Sequence, residues 1–304
     1  MALIQVNYMS RALSRMVPLM VVLPVDKFGA DFDEERSDGG EGRAFKTLYL
    51  LHGVFGNCTD WVSGTRIQRW AEERDLCVVM PSGDNSFYVD DEAKGDFYSE
   101  FIGKELVSLT RRMFPLSKRR EDTFVGGLSM GGFGALLNGL RFADSFSRII
   151  VLSGALHLLD GGNAFAASCK GGGVGPDVRP SAQEGAGVPF NSIPPLPCES
   201  AAFGDFAVAS RTDKNPRVLA ERLSSSLSAE RLPALFMACG TQDPLLSANR
   251  SYRDLLVSLG FSVSYFESEG GHDWDFWDAE IKRAIDWLPL GSAVQGVNSG
   301  NVGI

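Results

Sequence analysis

Short apolar runs that end in Gly, Pro or Asp alternate with longer amphipathic stretches along most of this chain. Such alternation restricts the fold strongly, because parallel strands buried on both faces need a helical crossover between them. The runs at 17–24, 47–51, 76–80, 123–127, 148–152, 234–238 and 262–266 are predicted strands. Apolar residues at three- and four-residue spacing predict helices over 97–113, 130–140, 247–259 and 274–287. The expected class is α/β, with a mostly parallel central sheet flanked by helices on both faces.

With 304 residues, 44% of them hydrophobic, the chain can cover both faces of one large sheet, so one domain is expected over 1–290. Two segments fall outside the alternation. Residues 160–197 collapse into Gly, Pro, Ser and Ala, with Gly171-Gly172-Gly173 and Pro194-Pro195, and read as an insertion that is either a lid or an inert loop. Residues 291–304, rich in Gly, Asn and Ser, read as a flexible tail. Near the N-terminus Arg11 and Arg15 precede an apolar stretch over 16–25 with the outline of a secretory leader. Pro18 and Pro24 interrupt it, no small-x-small site follows, and it is too short to span a bilayer, so a strand is the better expectation.

Charge and cysteine usage exclude several functions. The balance of 29 basic against 38 acidic residues, without a basic run, lacks the footprint of a nucleic-acid binder and points to a small-molecule substrate. Cys58, Cys77, Cys169, Cys198 and Cys239 form an odd, scattered set without a CxxC pair, which suits neither a zinc site nor a disulfide framework. Reduced thiols and a cytoplasmic location follow as expectations; whether Cys169 and Cys198 pair stays open, as does homo-oligomerisation. Neither a metal nor a cofactor is expected.

The chemistry concentrates at Gly127-Leu128-Ser129-Met130-Gly131, a G-x-S-x-G pattern between a predicted strand and a predicted helix. A serine held on so tight a turn needs neighbours without side chains, and it presents its hydroxyl at a helix N-terminus, where negative charge is favoured. The same pattern also serves as a closely packed strand-to-helix turn. A serine hydroxyl is a weak nucleophile and requires a base. Of the three histidines, His272 in Glu269-Gly270-Gly271-His272-Asp273-Trp274 stands between a strand and a helix, while His157 has no acid or glycine signature around it. The base in turn needs a carboxylate, and the turn after the strand at 234–238 offers Asp243 in the order Ser, acid, His. An aspartate there also caps helices or closes Asx-turns. Asp273 reads as the N-cap of the last helix.

An oxyanion wants two backbone donors. The N–H of Met130 is one; the turn His52-Gly53-Val54-Phe55-Gly56 supplies the other, assigned to Val54, with His52 as the loop's anchor. Loops at the C-terminal edge of a parallel sheet form pockets, so Phe55 and Trp61 are candidate walls of a short acyl slot. Asn85 or Tyr88 would offer a hydrogen bond to the alcohol side, although such aromatic residues also pack loops together.

The sequence of motifs Leu50-Leu51-His52-Gly53, Asp60-Trp61, Met80-Pro81-Ser82-Gly83, Gly127-Leu128-Ser129-Met130-Gly131-Gly132, Ala238-Cys239-Gly240-Thr241-Gln242-Asp243 and Gly270-Gly271-His272-Asp273-Trp274 resembles the Putative esterase family. Within it the tributyrin-esterase group is closest, related to S-formylglutathione hydrolases, feruloyl esterases and mycolyltransferases. The resemblance covers nearly the whole chain. It implies an α/β-hydrolase fold and short-chain acyl-ester hydrolysis without a cofactor, by a triad of Ser129, His272 and Asp243. A carbohydrate deacetylase or feruloyl esterase is the main alternative, with S-formylglutathione hydrolase or acyltransferase behind it. The stretch 31–42 and the insertion at 160–197 depart from the family pattern.

Overall fold

Apolar side chains that point alternately to the two faces of a sheet must be covered on both, and this requirement organises the chain. The computed structural model describes residues 1–25, 44–159 and 197–291. A hairpin of β1 (Ala2–Ser10) and β2 (Arg15–Leu23) is followed by β3 (Lys46–Leu51) and β4 (Leu76–Pro81). A small ladder of β5 (Asp90–Asp91) and β6 (Asp96–Phe97) stands apart, and β7 (Thr123–Leu128), β8 (Arg148–Leu152), β9 (Ala234–Gly240) and β10 (Val263–Ser268) complete the set. The main sheet runs β1-β2-β4-β3-β7-β8-β9-β10, antiparallel at the hairpin side and parallel from β4 onward.

Along β3, Leu48 and Leu50 join one core while Tyr49 and Leu51 join the other. The first core also holds Trp61, Trp70, Trp277 and Ile281, contributed by helices Asp60–Gly64, Ile67–Glu73 and Trp274–Trp287. The second packs helices Leu106–Met113, Met130–Arg141, Pro216–Ser226 and Leu246–Ser258 against the opposite face. After β3 the chain steps outward to β4 and later returns to add β7 on the other side of β3. Strand order therefore reverses between β3 and β7, and the crevice outside their C-terminal ends is where ligands bind in such sheets.

All seven predicted strands are present, and the helix predicted at 274–287 spans those residues. Differences lie elsewhere. Residues 2–10 add an edge strand that the pattern did not single out; their period-two alternation acquires a partner only through the register Ala2↔Leu23 to Ser10↔Arg15. The helix expected over 97–113 is interrupted by a π-helical turn, Phe101–Glu105. There Gly103 lies against the Phe142 ring, and Glu105 accepts hydrogen bonds from the backbone of Arg11 and Ala12 in the hairpin turn. Helices Pro197–Phe203 and Pro216–Ser226 are further additions. The insertion expected over 160–197, apart from Pro197 itself, the tail beyond Gly291, the stretch 31–42 and Cys169 lie outside the described residues. Among the described residues no helix is long and apolar enough to cross a membrane.

Ile281 is fully buried on the last helix against this sheet. Replacing it by Ala should lower the unfolding free energy by about 2–5 kcal/mol, the usual cost of a buried Ile-to-Ala cavity. Urea denaturation measures the loss, and an unchanged midpoint would contradict the packing described.

Candidate active site

Strand β7 ends in Gly127 and Leu128, and Ser129 then turns the chain into helix Met130–Arg141 with φ 52° and ψ −117°. This conformation is strained for a residue with a Cβ, and strain of that kind concentrates at functional positions. The two flanking glycines are required by space. A Cβ on Gly127 would lie 2.3 Å from the carbonyl oxygen of Gly131, and one on Gly131 would lie 2.4 Å from that of Leu51. The Ser129 N–H donates to Leu152 O at 2.9 Å, while Ser129 O accepts from Phe133 and Ala155. The elbow is thus tied to the strand beside it and to its own helix.

Acid and base are brought together by the parallel pairing of β9 and β10, in which Gly240 stands opposite Ser268. Beyond the ladder, Thr241 N–H donates to Ser268 O, Gln242 N–H to Gly270 O, and Gly270 N–H to the Gln242 side chain. Asp243 and His272 consequently leave the sheet side by side. His272 Nδ1 is 2.9 Å from Asp243 Oδ2, and His272 Nε2 is 3.0 Å from Ser129 Oγ. The Asp243 side chain is fully buried, whereas that of His272 remains 31% exposed. Burial pushes the Asp243 carboxyl up, but hydrogen bonds from His272 and the Leu245 N–H, with the attraction of His272, outweigh it and hold it below its ordinary value. Its partner therefore faces a carboxylate. Asp273 caps the last helix, accepting from Phe276 N–H at 3.0 Å.

The pairing of β3 with β7 sets Leu51 opposite Gly127, so the turn 52–56 emerges beside the elbow. Met130 N–H belongs to the first turn of its helix, where no intrahelical acceptor exists, and Val54 lines the cavity next to Ser129. His52 is buried and anchors this turn. Its Nδ1 bonds Gly53 O at 2.7 Å and its Nε2 accepts from Gly83 N–H at 2.8 Å, which makes Nδ1 the protonated nitrogen. Burial lowers its pKa, opposed by the Gly53 bond and by Asp60 and Asp84.

The four candidate substrate contacts divide. Phe55 lines the cavity, 79% exposed at its rim with φ 65°. Asn85 accepts the Phe55 N–H at 2.7 Å and so shapes that rim. Trp61 is buried, donates Nε1–H to Leu51 O, and meets Trp274 edge-on at 5.7 Å; it backs the wall and does not form it. Tyr88 is fully buried, with its hydroxyl donating to His52 O at 3.0 Å, so it braces the turn and offers nothing to a ligand. Both are corrections with one cause, since aromatic size near a loop does not tell which side of the loop a ring occupies.

A cavity of about 630 Å³ opens above Ser129 and His272. Its apolar lining includes Phe87, Leu128, Trp274 and Trp277, and its ionisable lining includes Asp60, His157, Glu199 and Asp273. Burial pushes the His157 imidazole down to about 4, so it is neutral near pH 7. His157, Glu199 and the two tryptophans were not identified from sequence. Trp274 and Trp277 sit at helical spacing and read as core, and Glu199 follows the 160–197 segment, where no pattern locates a residue. Cys58 is buried and outside the lining. Among the described residues no group of three His, Cys, Asp or Glu side chains is arranged to hold a metal ion.

Comparison with known proteins places the chain among esterases. An acetyl esterase from Caldicellulosiruptor saccharolyticus is 38% identical over 292 residues, covering 95% of this chain and 98% of that protein. The crystal structure of an S-formylglutathione hydrolase from Staphylococcus aureus superimposes with a TM-score of 0.73 at 28% identity, covering 94% of this chain and 98% of that one. A diacylglycerol acyltransferase/mycolyltransferase Ag85B from Mycobacterium intracellulare is 22% identical over 271 residues, covering 85% of this chain and 78% of that protein. The sheet and its flanking helices are those of the α/β-hydrolase fold. Residues 10–288 match the family described as Putative esterase, and the chain belongs to that family of ester-hydrolysing enzymes.

Proposed function

We propose that this esterase is a serine carboxylesterase that cleaves short-chain acyl esters through an acyl-enzyme. The observation that carries the reading is the unbroken hydrogen-bonded line from Ser129 Oγ through His272 to buried Asp243. His272 Nε2 takes the serine proton as Oγ attacks the ester carbonyl, and Asp243 holds the tautomer and steadies the imidazolium. The N–H groups of Met130 and Val54 receive the oxyanion. Collapse of the tetrahedral intermediate returns the proton from Nε2 to the departing alcohol. Water then repeats the sequence on the acyl-enzyme and frees the acid.

The cavity lining bears on which esters enter. Among the described lining residues there are three carboxylates, Asp60, Glu199 and Asp273, and neither Lys nor Arg. That field disfavours anionic substrates and supports an uncharged ester over the glutathione thioester. The exposed Phe55 ring beside these carboxylates favours a second reading, deacetylation of a carbohydrate, since sugars present apolar faces to aromatic rings and hydroxyls to carboxylates.

Ser129→Ala and His272→Ala should each retain the fold and lower kcat at least about a thousand-fold, because triad members act as a unit. Hydrolysis of p-nitrophenyl acetate, with circular dichroism as the folding control, decides this; near-normal rates in either variant would remove the triad. In the parent enzyme kcat/KM should decline on acidification, because an imidazole base must be unprotonated to take the serine proton. Asp243, held low, stays ionised as the base takes up its proton, so loss of the acid is not what drives this limb. A flat profile from pH 5 to 8 would contradict a histidine base.

Chain-length preference follows from the walls Phe87, Leu128, Trp274 and Trp277, which are packed against the cores. Each methylene that fits contributes about 0.8 kcal/mol, and each that meets a wall costs about 1–3 kcal/mol. Across p-nitrophenyl esters from acetyl to octanoyl, kcat/KM should peak between acetyl and butyryl. Rates rising through octanoyl would instead indicate a long acyl groove.

A further inference from the structure

The turn that carries Val54 is gripped from outside the cavity. Residues 82–86, the loop that follows β4, run beside residues 52–58 and are joined to them at three points. Gly83 N–H donates to His52 Nε2 at 2.8 Å, and Ser82 Oγ accepts the Cys58 N–H at 3.1 Å. The third is Asn85, whose Oδ1 accepts the Phe55 N–H at 2.7 Å. A backbone N–H requires an acceptor, so the amide oxygen and not the nitrogen faces Phe55. The loop is itself tethered on its far side. Asp84 accepts from Arg15 on β2 at 2.7 Å and from the Tyr98 hydroxyl at 2.5 Å, and Ser86 Oγ donates to Gly83 O at 2.6 Å. Asn85 thus stands between two fixed neighbours.

These contacts bear on Val54 because a peptide unit is planar and trans, so that holding its carbonyl also sets the direction of the N–H at its other end. Gly53 O is such a carbonyl. It accepts from His52 Nδ1 at 2.7 Å and from Gly56 N–H at 3.3 Å, which turns the Val54 N–H to the opposite side. The next peptide unit, from Val54 to Phe55, is held at its N–H by Asn85. Phe55 needs that hold, since its φ of 65° lies in the left-handed region, where a residue with a Cβ is strained. Val54 and Phe55 line the cavity and Asn85 does not, so its side chain acts on the turn from behind.

We propose that Asn85 is a positioning residue of the oxyanion hole, its side-chain oxygen holding the Phe55 peptide so that the Val54 N–H stays aimed at the carbonyl attacked by Ser129. The inference rests on the acyl-enzyme reading above. A direct contact between Asn85 and the alcohol part of the ester makes a different forecast, because the alcohol has left before water attacks the acyl-enzyme. Such a contact alters acylation and leaves deacylation alone. An oxyanion forms in both half-reactions, so a positioning role affects both.

Stopped-flow hydrolysis of p-nitrophenyl acetate by the full chain separates the half-reactions, the burst reporting acylation and the later phase deacylation. Asn85 is exposed, so its substitution leaves the core untouched. Asn85→Ala should slow each half-reaction about ten-fold with KM within about two-fold of the parent, less than the loss of about a hundred-fold or more that follows removal of an oxyanion donor, since the N–H is misaimed and not removed. Its affinity for a trifluoromethyl ketone, which forms a tetrahedral adduct with the serine, should fall by the same factor of about ten. Asn85→Asp keeps the acceptor oxygen and should recover both rates to within about three-fold of the parent. Parental deacylation or undiminished ketone affinity in Asn85→Ala, or an Asn85→Asp no better than Asn85→Ala, would overturn the proposal. Ser129→Ala serves as the separating control. If it is inactive while Asn85→Ala is normal, the positioning role alone fails; if it retains normal turnover, the acyl-enzyme reading and the positioning role fall together.

Discussion

The parallel pairing of β3 with β7 is the constraint on which the rest depends. Because Leu51 stands opposite Gly127, the turn that begins at His52 and the elbow that carries Ser129 leave the sheet at the same level. Such closeness is achievable only where side chains are absent. The carbonyls of Leu51 and His52 occupy the space that a Cβ on Gly131 would need. A hydroxyl on a strained turn and a row of backbone donors beside it are therefore two consequences of one register, and a slip of that ladder would move both.

A buried carboxylate is the second constraint. Removing Asp243 from water opposes its charge, and the protein answers with the His272 imidazole and the Leu245 N–H at 2.8 Å. These partners come from the turn after β9 and the loop after β10, so the charge can be accommodated only after those two neighbouring strands have been aligned. The same alignment delivers the base to the serine. Stability of the acid and geometry of the chemistry are in this way satisfied by shared contacts.

Much of this was legible in the sequence, for reasons that differ from residue to residue. Ser129 was visible because its elbow needs Gly127 and Gly131 at fixed offsets, and local steric demands leave local patterns. Asp243 and His272 were visible because each follows an apolar run that ends at the edge of the sheet, in an order set by strand succession. His52 was read as an anchor, and it holds its turn through Gly53 and Gly83. Trp61 and Tyr88 went the other way. Their composition suits a pocket wall, yet each turned its polar atom to a main-chain carbonyl and its ring to the core.

By itself, then, the sequence determined the class of sheet, the positions of its inner strands and the three residues now joined by hydrogen bonds, because strand period and turn sterics act over a few neighbouring residues. Tertiary structure alone decided the edge strand at 2–10, the π turn at Phe101–Glu105, the acidic cavity lining at Asp60, Glu199 and Asp273, and the hydrogen bond between the side chains of Ser153 and Trp277, which are 124 residues apart. The physical reason is range. Contacts between such distant residues depend on the twist and register of the assembled sheet, and no short-range pattern in the chain encodes them.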